Sequence, residues 1–292
     1  MAKNLPLEYM FNEIPDVGSR LQVAEGVFWI RMPLPMALDH INLWLLEDGD
    51  GWTLVDTGLH TGLSKKLWSN FIEQSLDRRP INRIIVTHFH PDHVGMAGWL
   101  VERTKAEFWM PRTEWLYARL LTSDDSEQFV DSTIEFYRRA GGDSEYLERL
   151  KEKGPMFPGI VSDVPLTIRR IMDNEIITIG SENWKIVVGN GHSPEHACLL
   201  SESLGIFICG DLVLPRISPH IGVYADEQDN NPLDDYLNTL KNLYAIPNDV
   251  MVLPSHNEPY LGLHQRLDSL SLHHERRLEQ FLCACENPGT AI

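Results

Sequence analysis

Cysteine is scarce in this chain: four in 292 residues, Cys198, Cys209, Cys283 and Cys285. That number and that scatter exclude a disulfide framework or a paired CxxC zinc knuckle, and they fit a reduced, cytoplasmic compartment. Cys283-Ala-Cys285 is a CxC on a helix-like stretch and reads as surface or packing cysteines. Long apolar runs are missing too; none approaches the roughly 20 residues of a membrane helix. The start, MAKNLPLEYMFNEIPD, has no basic stretch followed by an apolar one, so no secretory signal is expected. Positive charge is short: 25 Lys and Arg against 42 Asp and Glu leave a formal charge of −17. Phosphate-backbone binding needs clustered Lys and Arg, which argues against a general nucleic-acid binder. An anionic small substrate stays open, because bound cations reverse the potential inside one cleft. There is also no repeat, low-complexity tract or inter-domain linker. At 43% hydrophobic and 23% charged, residues 1–292 read as one globular domain with a substantial core.

What is there begins with short β-like runs. GVFWIRM (26–32), INLWLLE (41–47) and GWTLVDTG (51–58) are aromatic and branched, and Asp50-Gly51 is a hairpin signal. Leu63, Leu67, Phe71 and Ile72 recur at helical spacing over 62–75. A strand over 83–86, a histidine-rich turn, a helix over 95–104 and a strand over 107–110 follow. Residues 112–162 change character: they are charged, helical in pattern and then Pro/Gly-rich, which reads as a helical insertion that either adds packing or caps a cleft. From 166 on, the β runs LTIRRIM, EIITI, WKIVVG, ACLLSE and IFICGD return. A helix is expected over 232–244, a last strand in VMVLPSH, and a helical segment over 261–286 with i,i+4 charge pairing.

The chemistry concentrates in THFHPDH, residues 87–93. His88 and His90, two apart at a strand end, are expected on one side of it. Pro91 stops the strand, and Asp92 and His93 enter the next helix facing the same space. Neutral imidazoles suit zinc, iron or manganese, and a carboxylate compensates charge. Such a set can serve two neighbouring ions with two ligands each, completed from elsewhere. The rest of the chain offers His192 in VVGNGHSPEH, Asp211 ending IFICGD and His256 ending MVLPSH, each where an apolar strand stops. One histidine after a strand is ordinarily structural; several strand ends each delivering a histidine or aspartate point to a site.

In order and content, LVDTG (54–58), THFHPDH (87–93), GHSPEH (191–196), CGD (209–211) and PSH (254–256) resemble the metallo-β-lactamase superfamily. The resemblance implies a four-layer αββα sandwich with metals at one edge of two facing sheets. It implies that His88, His90 and His192 bind one ion, that Asp92, His93 and His256 bind another, and that Asp211 bridges them. It also implies that Asp56 and His196 support ligands rather than binding metal. The cofactor expectation is two divalent ions, zinc foremost, with iron or manganese as alternatives.

Two such ions about 3.5–4 Å apart lower the pKa of a water held between them toward ~7. The reaction class is then hydrolysis by hydroxide, with Asp92 orienting the water and passing its proton to the leaving group. Asp211 resembles the bridging aspartate of the glyoxalase II, lactonase, phosphodiesterase and nuclease branches. It makes β-lactamase activity the weaker reading, and the acidic surface disfavours nucleases. A small ester, thioester or lactone remains as the substrate. Alternatives are a mononuclear iron sulfur-oxygenase of the same fold or a metal-containing ligand sensor. Substrate contacts are expected from Leu34, Pro35 and Met36 as an overhanging wall, and from Arg216, His220 and Tyr224 after Asp211. A small-molecule substrate and a homodimer are the partners expected, with no nucleic acid and no membrane. The end, ENPGTAI, reads as a turn opening a further helix, as in relatives with a small winged-helix-like domain after the metal domain.

Overall fold

The computed structural model describes residues 7–286. ENPGTAI lies, apart from Glu286, outside the described residues. One seven-stranded sheet holds, in spatial as in chain order, β2 (Arg20–Ala24), β3 (Val27–Pro33), β4 (His40–Asp48), β5 (Gly51–Val55), β6 (Ile81–Ile85), β7 (Glu107–Met110) and β8 (Arg169–Arg170). The other, also seven-stranded, runs from β1 (Glu8–Tyr9) through β14 (Tyr260–Leu261), β13 (Met251–Pro254), β12 (Ile206–Gly210), β11 (His196–Ser201) and β10 (Glu182–Gly189) to β9 (Ile176–Ile179). Both sheets are mixed: β5 to β8 pair in parallel, as do β12 and β13, and the remaining ladders are antiparallel.

The contiguous apolar runs follow from burial on both faces of each sheet. In β4, Ile41, Leu43 and Leu45 face the outer helices, while Trp44 and Leu46 face the other sheet. In β12, Ile206 and Ile208 point between the sheets, and Phe207 and Cys209 point outward. Three apolar clusters result, one between the sheets and one under each helical layer. Over the first sheet lie α1 (Gly62–Gln74), α2 (Pro91–Val94), α3 (Ala97–Thr104) and α4 (Arg112–Ser123). After α4 come α5 (Glu127–Arg139), α6 (Ser144–Lys153) and α7 (Phe157–Ile160), so residues 112–160 hold four helices between β7 and β8. The second sheet is covered by α8 (Pro232–Leu243) and α9 (Leu263–Ala284). The molecule is therefore an αββα sandwich.

Several local expectations shift. The β4–β5 hairpin turns at Gly49-Asp50, one residue earlier than Asp50-Gly51, because Asp48 pairs with Gly51 and Gly49 takes a φ of 59°. In α1 the core face is Ser64, Trp68 and Phe71, and Leu63 is exposed. LTIRRIM yields only the two-residue β8 at a sheet edge. Cys283 and Cys285 are both exposed near the end of α9. Among the described residues, no helix is long and apolar enough to cross a membrane.

Candidate metal centre

The site forms where β5, β6, β12 and β13 end, all four ending toward one edge of the sandwich, the usual place for ligands in parallel sheets. β6 ends at Ile85, so His88 and His90 sit in the loop beyond it rather than on the strand. They converge because the chain turns at Phe89, whose N–H donates to the Glu114 carboxylate at 2.9 Å. Asp92 and His93 follow on α2. His192 lies between β10 and β11, Asp211 directly after β12, and His256 two residues after β13.

Four of the rings have their tautomers set by what their Nδ1 atoms touch. His192 Nδ1–H donates to the His220 carbonyl at 2.7 Å and His256 Nδ1–H to the His40 carbonyl at 2.8 Å. His93 Nδ1–H donates to Asp56 Oδ2 at 2.8 Å. The Thr87 hydroxyl gives its one proton to Asp56, so at 3.0 Å it accepts from His88 Nδ1–H. Each ring thus turns the lone pair of Nε2 inward. His90 approaches with Nδ1, 2.9 Å from His88 Nε2, and His192 Nε2 lies 3.1 Å from the same atom.

Asp211 stands between the two sides. Its Oδ2 is 3.6 Å from His192 Nε2, and its Oδ1 is 3.5 Å from both His93 Nε2 and His256 Nε2. Asp92 Oδ2 is 3.4 Å from His256 Nε2 and 3.8 Å from His93 Nε2. Most of these separations are long for hydrogen bonds. They are close to the ~3.3 Å between two donors of a tetrahedral ion with bonds of about 2.0–2.1 Å. Consistently, His93 Nε2 and Asp211 Oδ1 are buried without a hydrogen-bond partner among the described residues. Three overlapping donor sets emerge: His88–His90–His192, His88–His93–Asp211, and Asp92–His93–His256, with donor atoms in each within 4.8 Å of one another. Side chains and donor chemistry fit divalent cations.

The electrostatics say the same. Burial, then neighbouring rings, push His88 and His90 well below the ordinary histidine value, so both rings are neutral, the form that can bind a cation. Burial acts to lower His93 as well, but Asp56, Asp211 and Asp92 outweigh it and raise it well above. His256 is pushed up to about 10 against its burial by Asp211 and Asp92. Burial acts to raise Asp92 and Asp211, yet the adjacent His93 and His256 hold both carboxyls below the usual range. Without metal, protons on two rings balance buried carboxylates; divalent cations would take their place.

Asp56 and His196 touch ligands or their backbone. Asp56, at φ 61°, also accepts the Thr87 N–H at 2.8 Å, tying the β5 and β6 ends together. His196 opens β11; its Nε2 accepts the Asp211 N–H at 3.2 Å and its ring stacks 4.7 Å from that of His88. The Tyr224 hydroxyl is 3.4 Å from His90 Nε2. Among the other expected substrate contacts, Leu34 and Arg216 are engaged elsewhere. Leu34 is 6% exposed and packs into the core, since the β3–β4 loop folds it inward. Met36 is 53% exposed and Pro35 is exposed beside it. Arg216 is drawn away by Glu258, 3.0 Å distant, and lies over the Tyr9 ring. His220 contributes its carbonyl, while its side chain is exposed.

Sequence reading passed over Glu114. This fully buried carboxyl on α4 accepts from Phe89 N–H, from Ser193 Oγ–H at 2.8 Å and from Glu195 N–H at 2.6 Å. It thereby joins the first helix of the 112–160 segment to the loops that carry His88, His90 and His192. Burial, only partly offset by those donors, raises it to about 7. Its one sequence signal is position: Glu114, Ala118 and Leu121 share one packed stripe. Thr57 was passed over as well; its hydroxyl donates to the His93 carbonyl at 2.6 Å and accepts the Met96 N–H, seating α2.

The profile of the metallo-beta-lactamase superfamily matches residues 37–256, spanning every residue of this centre. The chain belongs to that superfamily. A beta-lactamase domain protein from Burkholderia ambifaria is 38% identical, with a TM-score of 0.90 over 97% of this chain and 83% of the other. A metallo-beta-lactamase family protein from Thermus thermophilus is 26% identical, with a TM-score of 0.79 over 92% and 86%. Among characterised sequences, the human acyl-coenzyme A thioesterase MBLAC2 is 24% identical over 80% of this chain and 79% of its own.

Proposed function

We propose that this superfamily member is a dinuclear metal-dependent hydrolase of a small ester, thioester or lactone. The observation that carries the reading is Asp211, whose two oxygens address His192 on one side and His93 with His256 on the other. His88, His90 and His192 would hold one ion; Asp92, His93 and His256 would hold the second; Asp211 would touch both. The imidazole-rich donor set suits zinc, with iron and manganese as alternatives. When bound, two such ions supply a lowered water pKa and polarisation of the substrate carbonyl.

The chain's own part is orientation and proton handling. Asp56, Thr87 and the His40 and His220 carbonyls fix the ligand rings, so little reorganisation accompanies reaction. Asp92, more accessible than His93 or His256, is ionised at neutral pH and can take the proton of the attacking water. As water oxygen adds to the carbonyl carbon and the C–O or C–S bond breaks, that proton moves to the leaving alkoxide or thiolate. The resemblance to an acyl-coenzyme A thioesterase supports the carbonyl class. The test is a screen of lactones, acyl thioesters, aryl esters, phosphodiesters and β-lactams with wild type and Asp211→Ala side by side. Carbonyl substrates should turn over and the substitution should remove most activity; turnover of phosphodiesters alone would refute the assignment.

A further inference from the structure

Beside the His90 edge of the centre lies a cavity of about 300 Å³ enclosed by α4 to α7 and residues 224–226. That size is at the lower end of the ~300–1,000 Å³ typical of small-molecule sites. Its walls include Leu121, Phe129, Leu150, Met156 and Phe157. Of the polar residues in those walls, Tyr117, Thr133 and Asp226 are hydrogen-bonded within the protein, and Ser132, Tyr137 and Lys153 complete the lining. Thr133 Oγ–H donates to the Phe129 carbonyl, and the Tyr117 hydroxyl donates to the Asp226 carboxylate. Apolar side chains supply most of the exposed wall, so an apolar chain gains more by entering than a polar one.

The cavity also borders the metal centre through Tyr224, whose hydroxyl is 3.4 Å from His90 Nε2. Tyr117 and Tyr224 line both it and a second cleft lined by His192 and Ser193. Between cavity and ligands stands Phe89, its ring 4.6 Å from that of His90, 4.8 Å from Tyr117 and 6.1 Å from Phe157. A group with a carbonyl at the histidines would have its substituent directed past Phe89 and Tyr224 into this apolar space. We infer that the cavity is the acyl-chain pocket of the enzyme and that its substrates are thioesters or esters of unbranched aliphatic acids. The inference rests on the hydrolase reading above for the carbonyl's position. The helices of residues 112–160 then select the acyl group, while the seven donors carry out its transfer to water.

The test is a series of thiophenyl thioesters from acetyl to decanoyl with the zinc-loaded full chain, read as kcat/KM against chain length. Each added methylene that enters the cavity should raise kcat/KM about fourfold, until the cavity is full. Two substitutions should move that profile in opposite directions. Thr133→Trp fills the cavity and should end the rise at shorter chains; Phe129→Ala enlarges it and should extend the rise to longer ones. A flat profile with steady turnover, or a profile that neither substitution moves, overturns the pocket and leaves the hydrolase reading intact. If no carbonyl substrate turns over, calorimetric binding of decanoate decides. Binding that Thr133→Trp abolishes upholds the pocket and sinks the hydrolase; absence of binding overturns the pocket.

Discussion

Asp56→Asn isolates the link between a supporting side chain and a metal ligand. Asparagine keeps Oδ1, so the Thr87 N–H and hydroxyl bonds at 2.8 and 3.0 Å survive and the fold should hold. The Oδ2 that accepts from His93 Nδ1–H at 2.8 Å becomes an NH2 donor. Two donors cannot face each other, so His93 must move its proton to Nε2. That buried atom has no other protein partner and looks toward Asp211 Oδ1 at 3.5 Å. A protonated Nε2 cannot bind metal. Loss of such a supporting partner ordinarily lowers metal affinity ~10–100-fold, or about 1.4–2.7 kcal/mol. The second ion should weaken by that factor or more, while the His88–His90–His192 set keeps its own. Competition against a chromophoric chelator measures both constants, and long-range ¹H–¹⁵N spectra read the His93 tautomer. Two unchanged constants together with an unchanged tautomer would refute the reasoning.

Other expectations follow from the same geometry. Glu114→Ala strips the acceptor from one buried and one part-buried backbone N–H group and from one hydroxyl, at about 1–3 kcal/mol per stranded donor. With the hydroxyl free to turn elsewhere, urea denaturation should show a loss of about 2–4 kcal/mol; a loss below about 0.5 kcal/mol would contradict that role. At Gly210 (φ 53°) an added Cβ would meet the His196 ring at 2.4 Å, so Gly210→Ala combines left-handed strain with overpacking. A destabilisation of about 2–4 kcal/mol is expected by calorimetry, and a neutral result would show that the ring can move aside. In the chelated protein, His256 is raised from 6.5 to about 10, so its stabilising charge is present below 6.5 and lost as pH rises toward 10. Melting temperature should fall over that window, and a flat profile would contradict the carboxylate cluster as the cause. Restoring zinc at a thousand times its dissociation constant should add about 4 kcal/mol of stability.

Much of this architecture is legible in the sequence because the sheets are buried on both faces. Stretches such as LWLL (43–46) and IFIC (206–209) show as apolar runs, and IFIC stops just before Asp211 at the sandwich edge. The seven donor residues come from four separate segments, yet each carries its own local signal of histidine or aspartate after a strand. Glu114 has none. Its importance comes from contacts 25 and 79 residues away in the chain, made by a helix whose other charged residues face solvent. Leu34 and Met36 show another limit: apolar character in a loop does not tell which way a side chain turns, and the core takes one while water keeps the other. Arg216 was open to capture by any nearby carboxylate, and Glu258, 42 residues on, captures it. The cavity behind Phe89 arises from packing among four helices, a property of no single segment.

The most direct test is stepwise zinc titration of the chelated chain, with hydrolysis of an acyl thioester recorded at each addition. Activity should climb to its maximum as the second equivalent per chain binds, and Asp211→Ala should abolish that climb. Full activity at one equivalent, or activity indifferent to chelation, would contradict a dinuclear hydrolase.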